Sequence, residues 1–234
     1  MSSKLPEARG AELYDALYSQ RGYHGQLNLT RSRELQPAIL NASKELRLQS
    51  FLDVGCSHGW IVQWLWQHNF RASGADISHV AINMAKDARG EPSASCVLPC
   101  FAQANPARGL PWANDSFDAV VSSDALEHIE PADVRSAVSE ISRVATKALV
   151  LKVSNRNDLE PQLNVTNGTQ GVMVLPRSLH PTVHWPGWWL REFQHVDPAW
   201  QMLRSLPPAR RWACCTFVLW REQRRGRGRR RLGP

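Results

Sequence analysis

The sequence predicts a single α/β domain with a doubly wound, mostly parallel sheet of seven strands and helices on both faces. Short apolar runs that end at glycine, aspartate or serine alternate with stretches of helical periodicity. Such alternation is typical of parallel sheets, in which each crossover helix covers one face. The 234 residues are enough for one substantial domain, and no internal repeat marks a second one.

The predicted strands are apolar runs bounded by turn residues. They are QSFLDVG, RASGADIS, CVLPCFAQA, the run Phe117–Ser122, KALVLKVS, QMLRSL and RWACCTFVLWR. The predicted helices cover residues 8–24, 31–47, 60–70, 79–89, 131–145 and 186–196. Ser78 is the expected N-cap of the fourth helix, and Pro131 stands in the first turn of the fifth.

Composition favours an intracellular, cytoplasmic protein without a membrane segment. No apolar run approaches the length of a bilayer span, and the N-terminus lacks the apolar core of a signal peptide. Five cysteines in a chain of this length are expected to be reduced thiols.

The positive charge is concentrated at the C-terminus. Residues 221–234 carry seven arginines and one glutamate, which accounts for six of the seven net positive charges. This segment is predicted to be a disordered tail. It is either a solubilising extension or a nuclear-localisation or nucleic-acid-binding arm; the remainder is nearly neutral and gives no electrostatic reason to expect nucleic acid.

The turn after the first strand reads FLDVGCSHG and disfavours a dinucleotide. A dinucleotide-binding turn needs G-x-G-x-x-G, whereas Ser57 and Trp60 stand at the second and third glycine positions. Asp53 would repel a phosphate but suits a cationic ligand. Gly55 permits a sharp turn, and its bare backbone is expected to let a ligand approach.

Asp76 ends the second strand, 21 residues after Gly55. A carboxylate at this position can accept the hydroxyls of a ribose. A ribose-bearing, partly cationic ligand without an evident phosphate matches S-adenosylmethionine.

Three segments resemble class I S-adenosylmethionine-dependent methyltransferases, closest to the small-molecule branch that includes ubiquinone- and biotin-pathway enzymes. They are FLDVGCSHG, GADIS and LPWANDSFDAVVSSDALEHI, and the resemblance covers about residues 45–153. It implies a Rossmann-like domain over residues 49–220, with a substrate-specificity insert at 155–195. The helices of residues 1–48 are expected to form a cofactor lid through Tyr14 and Tyr18, with core packing of these tyrosines as the alternative.

The resemblance implies a role for each matching residue. Asp53 would orient the methionine amino group, and Asp76 would hold the ribose. The other predicted cofactor-binding residues are Gly55, Cys56, Ser57 and Gly59 along the methionine tail, Ile77 beside the ribose, Asn105 near the adenine, and Ser122 and Ser123 at the end of the fourth strand.

Two positions depart from the family pattern. The middle glycine is replaced by Ser57, which is tolerable if its hydroxyl turns away from the ligand. The aspartate that often precedes Leu-Pro is absent, and Asn105 or the Ala104 N–H is the expected substitute.

His128, in LEHI, is the candidate general base, with a structural packing role as the alternative. No metal site is predicted. His180 and His184 are separated by Pro181 and are not expected to share a helix face, and the spacing of Cys96, Cys100, Cys214 and Cys215 is unusual for zinc. The tryptophans of VHWPGWW either roof the acceptor pocket or fill the core.

The predicted function is in-line transfer of a methyl group to an oxygen or nitrogen of a small-molecule acceptor. One alternative is an RNA or protein methyltransferase guided by the arginine tail. The sequence has SSDA rather than an N/D-P-P-Y/F motif after the fourth strand, which disfavours base-nitrogen methylation. A second alternative is a non-catalytic methyltransferase-like scaffold.

Overall fold

The computed structural model describes residues 10–19, 26–155, 164–166, 172–174, 179–206 and 214–222. Its helices are α1 Gly10–Ser19, α2 Gln26–Leu46, α3 Trp60–Gln67, α4 His79–Arg89, α5 Val134–Val144 and α6 Pro186–Val196. Its strands are β1 Ser50–Val54, β2 Arg71–Asp76, β3 Phe101–Gln103, β4 Phe117–Ser123, β5 Ala145–Ser154, β6 Asn164–Thr166, β7 Val172–Val174, β8 Gln201–Leu206 and β9 Cys214–Trp220.

Seven strands form one sheet in the order β3-β2-β1-β4-β5-β9-β8, which confirms the predicted architecture. Strands β1 to β5 are parallel, and β9 runs antiparallel to both β5 and β8. The short strands β6 and β7 form a separate antiparallel pair. The chain order reverses between β1 and β4, so ligands are expected beyond the carboxyl ends of these two strands.

Alternating side chains on each strand build two apolar cores, one on each face of the sheet. Phe51 of β1 packs with α2, α3 and α4, whereas the next residue, Leu52, packs with α5 and α6. Val120 and Val121 of β4 divide in the same way. Burial on both faces explains why these strands read as continuous apolar runs.

Local signals place several helix ends where the sequence predicts them. The Ser78 side chain accepts a hydrogen bond from the Ala81 N–H and caps α4. Pro131 lies in a short 3₁₀ turn that leads into α5. Helix α3 ends at Gln67, earlier than predicted, and Asn69 just beyond it adopts the left-handed conformation with φ 61°.

Two expectations are wrong in the segment before β3. The third strand begins only at Phe101. Cys96 and Cys100, expected to be reduced, form a disulfide across four residues. Because these two sulfurs are bonded to each other, they are not available as zinc ligands together with Cys214 and Cys215.

The boundary of the predicted tail also shifts. Arg221 is 5% exposed and bonds to Asp197 and to the Ser142 carbonyl, so it belongs to the fold. Residues 223–234, which carry the rest of the predicted tail, lie outside the described residues. No helix in the described part of the chain is both long and apolar enough to cross a bilayer.

Candidate active site

The turn after β1 is bound to the end of β2. The N–H groups of Gly55 and Cys56 donate to the Ala75 carbonyl at 2.8 and 3.0 Å. The Ser57 N–H then donates to Asp76 Oδ2 at 2.9 Å. The two segments that carry the predicted cofactor residues are therefore held together by hydrogen bonds within the protein.

The two glycines of this turn are required by packing inside the protein. Gly55 has φ 79°, and a Cβ on it would lie 2.3 Å from the Ala125 methyl group. Gly59 has φ 72°, and a Cβ there would lie 2.8 Å from the Phe101 ring. The expected reason for Gly55, close approach of a ligand to its missing side chain, is therefore wrong. Contact of a ligand with the backbone of the turn remains a prediction.

Asp53 is a carboxyl group buried inside the protein near the carboxylate of Asp76. It is 1% exposed, and its Oδ1 has no hydrogen-bond partner among the described residues. Burial raises the pKa of Asp53 to about 8, and the negative charge of Asp76 adds to the rise. A cation placed next to this oxygen would satisfy it and favour the ionised form.

Asp76 differs from Asp53 because the backbone partly compensates its burial. Its Oδ1 accepts the Ser78 N–H, and its Oδ2 accepts the Ser57 N–H, each at 2.9 Å. Burial raises the pKa of Asp76 to about 6, although these backbone N–H groups lower it. Each carboxylate oxygen can accept a second hydrogen bond, so the group keeps capacity for hydroxyl groups.

Ser57 replaces the middle glycine of the family pattern at some conformational cost. Its φ of 50° lies in the left-handed region that favours glycine. Its hydroxyl oxygen lies 3.2 Å from Nδ1 of His58. Cys56 is buried beside Gly74, where a Cβ would lie 2.7 Å from the Cys56 sulfur, and Ile77 is half-buried.

The expected adenine contacts are already engaged. Oδ1 of Asn105 accepts the Ala107 N–H at 2.9 Å and closes a local turn. The Ala104 N–H donates to the Asp76 carbonyl at 2.8 Å, so the suggestion that it replaces the missing aspartate is wrong. The contribution of Asn105 to adenine binding stays a prediction.

The residues at the end of β4 point in different directions. The Ser122 hydroxyl is buried and donates to the Val54 carbonyl at 2.8 Å, so it braces β1 against β4, and the contribution of Ser122 to cofactor binding stays a prediction. The half-buried Ser123 hydroxyl donates to Asp124 at 3.1 Å. Asp124 has φ 52° and contacts the buried Lys152 Nζ at 2.6 Å.

His128 lies in a 3₁₀ turn directly after β4. Its Nδ1 donates to the Leu179 carbonyl at 2.8 Å. Its ring also meets the rings of Tyr14 and His180 edge to face, at centroid distances of 5.8 and 4.6 Å. These contacts are compatible with both roles that the sequence suggests for His128, a general base and a packed side chain.

Glu127 was missed in the sequence because a glutamate on a surface turn is unremarkable. The structure buries it completely, and only one of its carboxylate oxygens is engaged, by the Ser154 N–H at 2.9 Å. Its Oε2 has no hydrogen-bond partner within the described ranges. Burial, reinforced by the nearby charge of Asp124, raises the pKa of Glu127 to about 8.

His180 was considered only with His184, yet the structure brings it to His128, 52 residues away in the chain. Glu127, His128 and His180 each place one possible ligand atom within 4.8 Å of the others. No periodicity or spacing rule predicts such a meeting, since it depends on how the segment after β5 folds back.

Helix α1 lies across both halves of the site. Tyr18 meets His58 in the glycine turn, at a ring-centroid distance of 5.4 Å, whereas Tyr14 meets His128. Asp15 lies between these tyrosines in sequence and accepts hydrogen bonds from Ser78 Oγ and His79 Nδ1, both at 2.6 Å. This placement is compatible with the predicted lid.

The three tryptophans near the start of α6 have different environments. Trp189 is fully buried in the core, which is the packing alternative. Trp188 stacks on His184 at a centroid distance of 3.8 Å, and Trp185 is 66% exposed. Trp189 therefore does not form a roof over the acceptor pocket, whereas this role remains a prediction for Trp185 and Trp188.

Comparison with known proteins places the site within a family. The methyltransferase domain family matches residues 52–148. The ubiquinone biosynthesis O-methyltransferases of Brucella ovis and Brucella abortus are each 28% identical over 141 residues, which is 60% of this chain and 55% of theirs. The chain thus matches about half the length of these curated relatives.

Solved structures share the fold at low sequence identity. Magnesium protoporphyrin IX methyltransferase from Synechocystis PCC 6803, determined with bound SAM, has a TM-score of 0.63 at 16% identity, covering 93% of this chain and 100% of that one. Burkholderia thailandensis 1,6-didemethyltoxoflavin-N1-methyltransferase has a TM-score of 0.60 at 14% identity, covering 94% and 93%. A [4+2]-cyclase has a TM-score of 0.62 at 14% identity, covering 94% and 99%.

The first two motifs lie at the carboxyl ends of the neighbouring strands β1 and β2, and the third carries its strand into the turn that holds His128. Residues 52–148 match the methyltransferase domain family, and over 141 residues the chain resembles the O-methyltransferases of ubiquinone biosynthesis.

Proposed function

We propose that the chain binds S-adenosylmethionine and transfers its methyl group to an oxygen or nitrogen of a small-molecule acceptor. The observation that carries this proposal is the carboxyl group of Asp53, buried beside Asp76 with Oδ1 lacking a partner among the described residues. A buried, unsatisfied carboxylate is costly, and a cationic ligand compensates that cost.

The residues present fit this cofactor. Asp53 would hold the α-ammonium group, and the remaining lone pairs of Asp76 would accept the ribose hydroxyls. Backbone atoms of the turn from Gly55 to Gly59 would lie along the methionine tail. Both carboxyl groups lie at the carboxyl ends of neighbouring parallel strands, so they are at the same edge of the sheet.

When bound, the cofactor supplies an electrophilic methyl group on a sulfonium. The work left to the chain is to orient the acceptor in line with that group, to exclude water and to accept a proton. His128 is the proposed proton acceptor, since it lies directly after β4. Helix α1 is the proposed lid, because its two tyrosines contact both halves of the site.

A small acceptor is supported by the relatives. The names of these curated and structural relatives refer to ubiquinone biosynthesis, magnesium protoporphyrin IX and didemethyltoxoflavin, and each name points to a small molecule. Outside residues 221–234 the chain carries a net charge of about one, so the body offers little attraction for nucleic acid.

Calorimetric titration with S-adenosylmethionine and S-adenosylhomocysteine tests cofactor binding first. Saturable binding by the wild-type chain, lost or strongly weakened in Asp53→Asn, is the expected result. Absence of binding would favour a non-catalytic scaffold. The [4+2]-cyclase is a precedent for this fold in a protein named for a reaction other than methyl transfer.

Incubation with methyl-labelled cofactor and fractionated cell extract then tests the acceptor. Label should appear in a low-molecular-weight fraction, with equal yield after removal of Arg224–Pro234. Label in RNA or protein that depends on this tail would instead support the macromolecular alternative.

A further inference from the structure

The segment Leu179–Thr182, here called the strap, is bound to the turn that carries His128. The Leu179 carbonyl accepts from His128 Nδ1 at 2.8 Å. The Thr182 N–H donates to the Glu127 carbonyl at 3.1 Å, and the Thr182 hydroxyl donates to the Ile129 carbonyl at 2.5 Å. The strap is thus fixed at both ends to one side of the candidate site.

The bond to Leu179 determines which nitrogen of His128 carries the hydrogen. A carbonyl oxygen only accepts, so Nδ1 must be the protonated nitrogen of the neutral ring. The lone pair then lies on Nε2. An imidazole whose tautomer is set by a backbone carbonyl in this way is arranged to accept a proton at the opposite nitrogen.

The strap also delivers His180 to the same place. The rings of His128 and His180 are 4.6 Å apart and nearly perpendicular, at 82°. The carboxyl group of Glu127 is fully buried, and its Oε2 is unsatisfied within the described residues. Three groups that can accept hydrogen bonds converge here, and an acceptor that donates one to Glu127 Oε2 would satisfy that oxygen.

Helix α1, the proposed lid, packs against the strap. Leu179 packs against Leu13, Ala16 and Leu17 of α1. The ring of Tyr14 on the same helix meets His128. The position of His128 therefore depends on α1 and on the strap together.

We propose that the strap completes the acceptor subsite: Leu179 holds His128 as the Nδ1–H tautomer, and His180 is a second acceptor-binding residue. This inference rests on the proposed function and specifies its acceptor as a hydroxyl or amine that still carries a proton. Nε2 of His128 takes that proton as the oxygen or nitrogen forms its bond to the methyl carbon. The carbon–sulfur bond breaks, its electron pair stays on sulfur, and the imidazolium later releases the proton to water.

The tautomer is measured without any acceptor. Spectra of the full chain labelled with nitrogen-15 histidine, bound to S-adenosylhomocysteine and at a pH where the rings are neutral, report which nitrogen bears the proton; loss of signals in His128→Gln assigns the residue. A proton on Nδ1 supports the inference. A proton on Nε2 would overturn it even if methyl transfer is established.

The role of His180 is measured with the extract fraction that takes up label. His180→Phe keeps an aromatic ring beside His128 but removes both nitrogens. We expect its kcat/KM for that fraction to fall at least about tenfold, with unchanged affinity for S-adenosylhomocysteine, because one acceptor contact is lost. His180→Gln, which keeps hydrogen-bonding atoms, should recover part of the loss.

His184→Phe is the matched control, since His184 lies in the adjoining segment but stacks on Trp188. It should stay within about twofold of wild type, as expected for a substitution outside the reacting groups. Equal loss in both phenylalanine variants would overturn the role of His180. So would loss of transfer on chelation with recovery on adding Zn²⁺ or Mg²⁺, since the three groups would then act as metal ligands. If no fraction takes up label, the proposed function fails and the acceptor-binding role of His180 fails with it, while the tautomer measurement still decides whether Leu179 holds the proton on Nδ1 of His128.

Discussion

Asp53 shows how one buried carboxyl group links pH, folding and ligand binding. The ordinary aspartate pKa is 3.8, whereas burial, with a further contribution from Asp76, raises it to about 8 in the folded protein. Between these values the folded chain retains a proton that the unfolded chain has released. The free protein therefore loses stability as pH rises through this window.

Cofactor binding should show the opposite pH dependence, because an ammonium group favours the ionised carboxylate. Between about pH 5.5 and 7, where an α-amino group stays protonated, affinity for S-adenosylmethionine should rise by up to about tenfold per pH unit. Asp53→Asn should flatten this rise in calorimetric titrations. Asp87→Asn, which changes an exposed carboxylate on α4, should leave the rise in affinity with pH unchanged. A wild-type affinity independent of pH would show that Asp53 does not meet the ammonium group.

Gly55 is constrained by both its backbone and its surroundings. Gly55→Ala should lower the free energy of unfolding by about 2 kcal/mol or more, since a left-handed φ and a contact with Ala125 act together. Gly10→Ala separates the two causes, because Gly10 has φ 59° but open space around it. It should cost only about 1 kcal/mol in urea unfolding. Equal costs would mean that the turn carrying Ala125 moves aside freely.

Helices and strands show where local signals suffice. Helices α4 and α6 have the predicted bounds, because Ser78 caps the first and Pro186 begins the second. Strand β3 is much shorter than its apolar run, since the disulfide of Cys96 and Cys100 holds the preceding residues in a different path. Apolar sequence alone does not distinguish a strand from a buried loop.

A single carboxylate on α1 accepts the hydrogen bonds that link this helix to the N-terminus of α4. Asp15 accepts from Ser78 Oγ, His79 Nδ1 and the Val80 N–H at the N-terminus of α4. A carboxylate is favourable there because it complements the helix dipole.

If α1 is the lid, Asp15→Asn should loosen it. Hydrogen exchange of residues 10–19 should become faster, and S-adenosylhomocysteine should dissociate faster, because the negative charge and part of the hydrogen bonding are lost. Glu12→Gln changes an exposed carboxylate on the same helix and should alter neither rate. Unchanged rates in Asp15→Asn would mean that the apolar packing of Leu13 and Leu17 holds the helix by itself.

At the scale of the whole molecule, Arg221 connects the end of β9 to α5 and to the residue that follows α6. It is buried, bonds to Asp197 and to the carbonyls of Ser142 and Ala145, and stacks on Trp200 at 4.4 Å. The sequence places it in a basic tail, since nothing in its neighbours distinguishes it from the arginines that follow. Only its tertiary contacts make it a core residue.

Arg221→Met should therefore destabilise the fold strongly. It removes the guanidinium group that pairs with the buried carboxylate of Asp197, at an expected cost of about 3–5 kcal/mol in urea unfolding. Arg204→Met removes an exposed pair with Glu45 and should cost less than about 1 kcal/mol. A loss for Arg221→Met as small as that of the control would show that the tail begins at Arg221 after all.

The sequence by itself predicted a mostly parallel sheet of seven strands, the succession of its main strands and helices along the chain, and the two aspartates at the carboxyl ends of β1 and β2. These are local properties: hydrophobic periodicity, capping residues and turn glycines act within a few positions along the chain. They also carry the family resemblance, and the family match over residues 52–148 covers them.

The tertiary structure decided how those residues are used. It turned the Ser122 hydroxyl into the sheet, filled the space above Gly55 with Ala125, buried Glu127, and brought His180 to His128 across 52 residues. Such contacts arise from the packing of segments that are distant in the chain. No local pattern encodes them, because each depends on where the whole backbone places its partners.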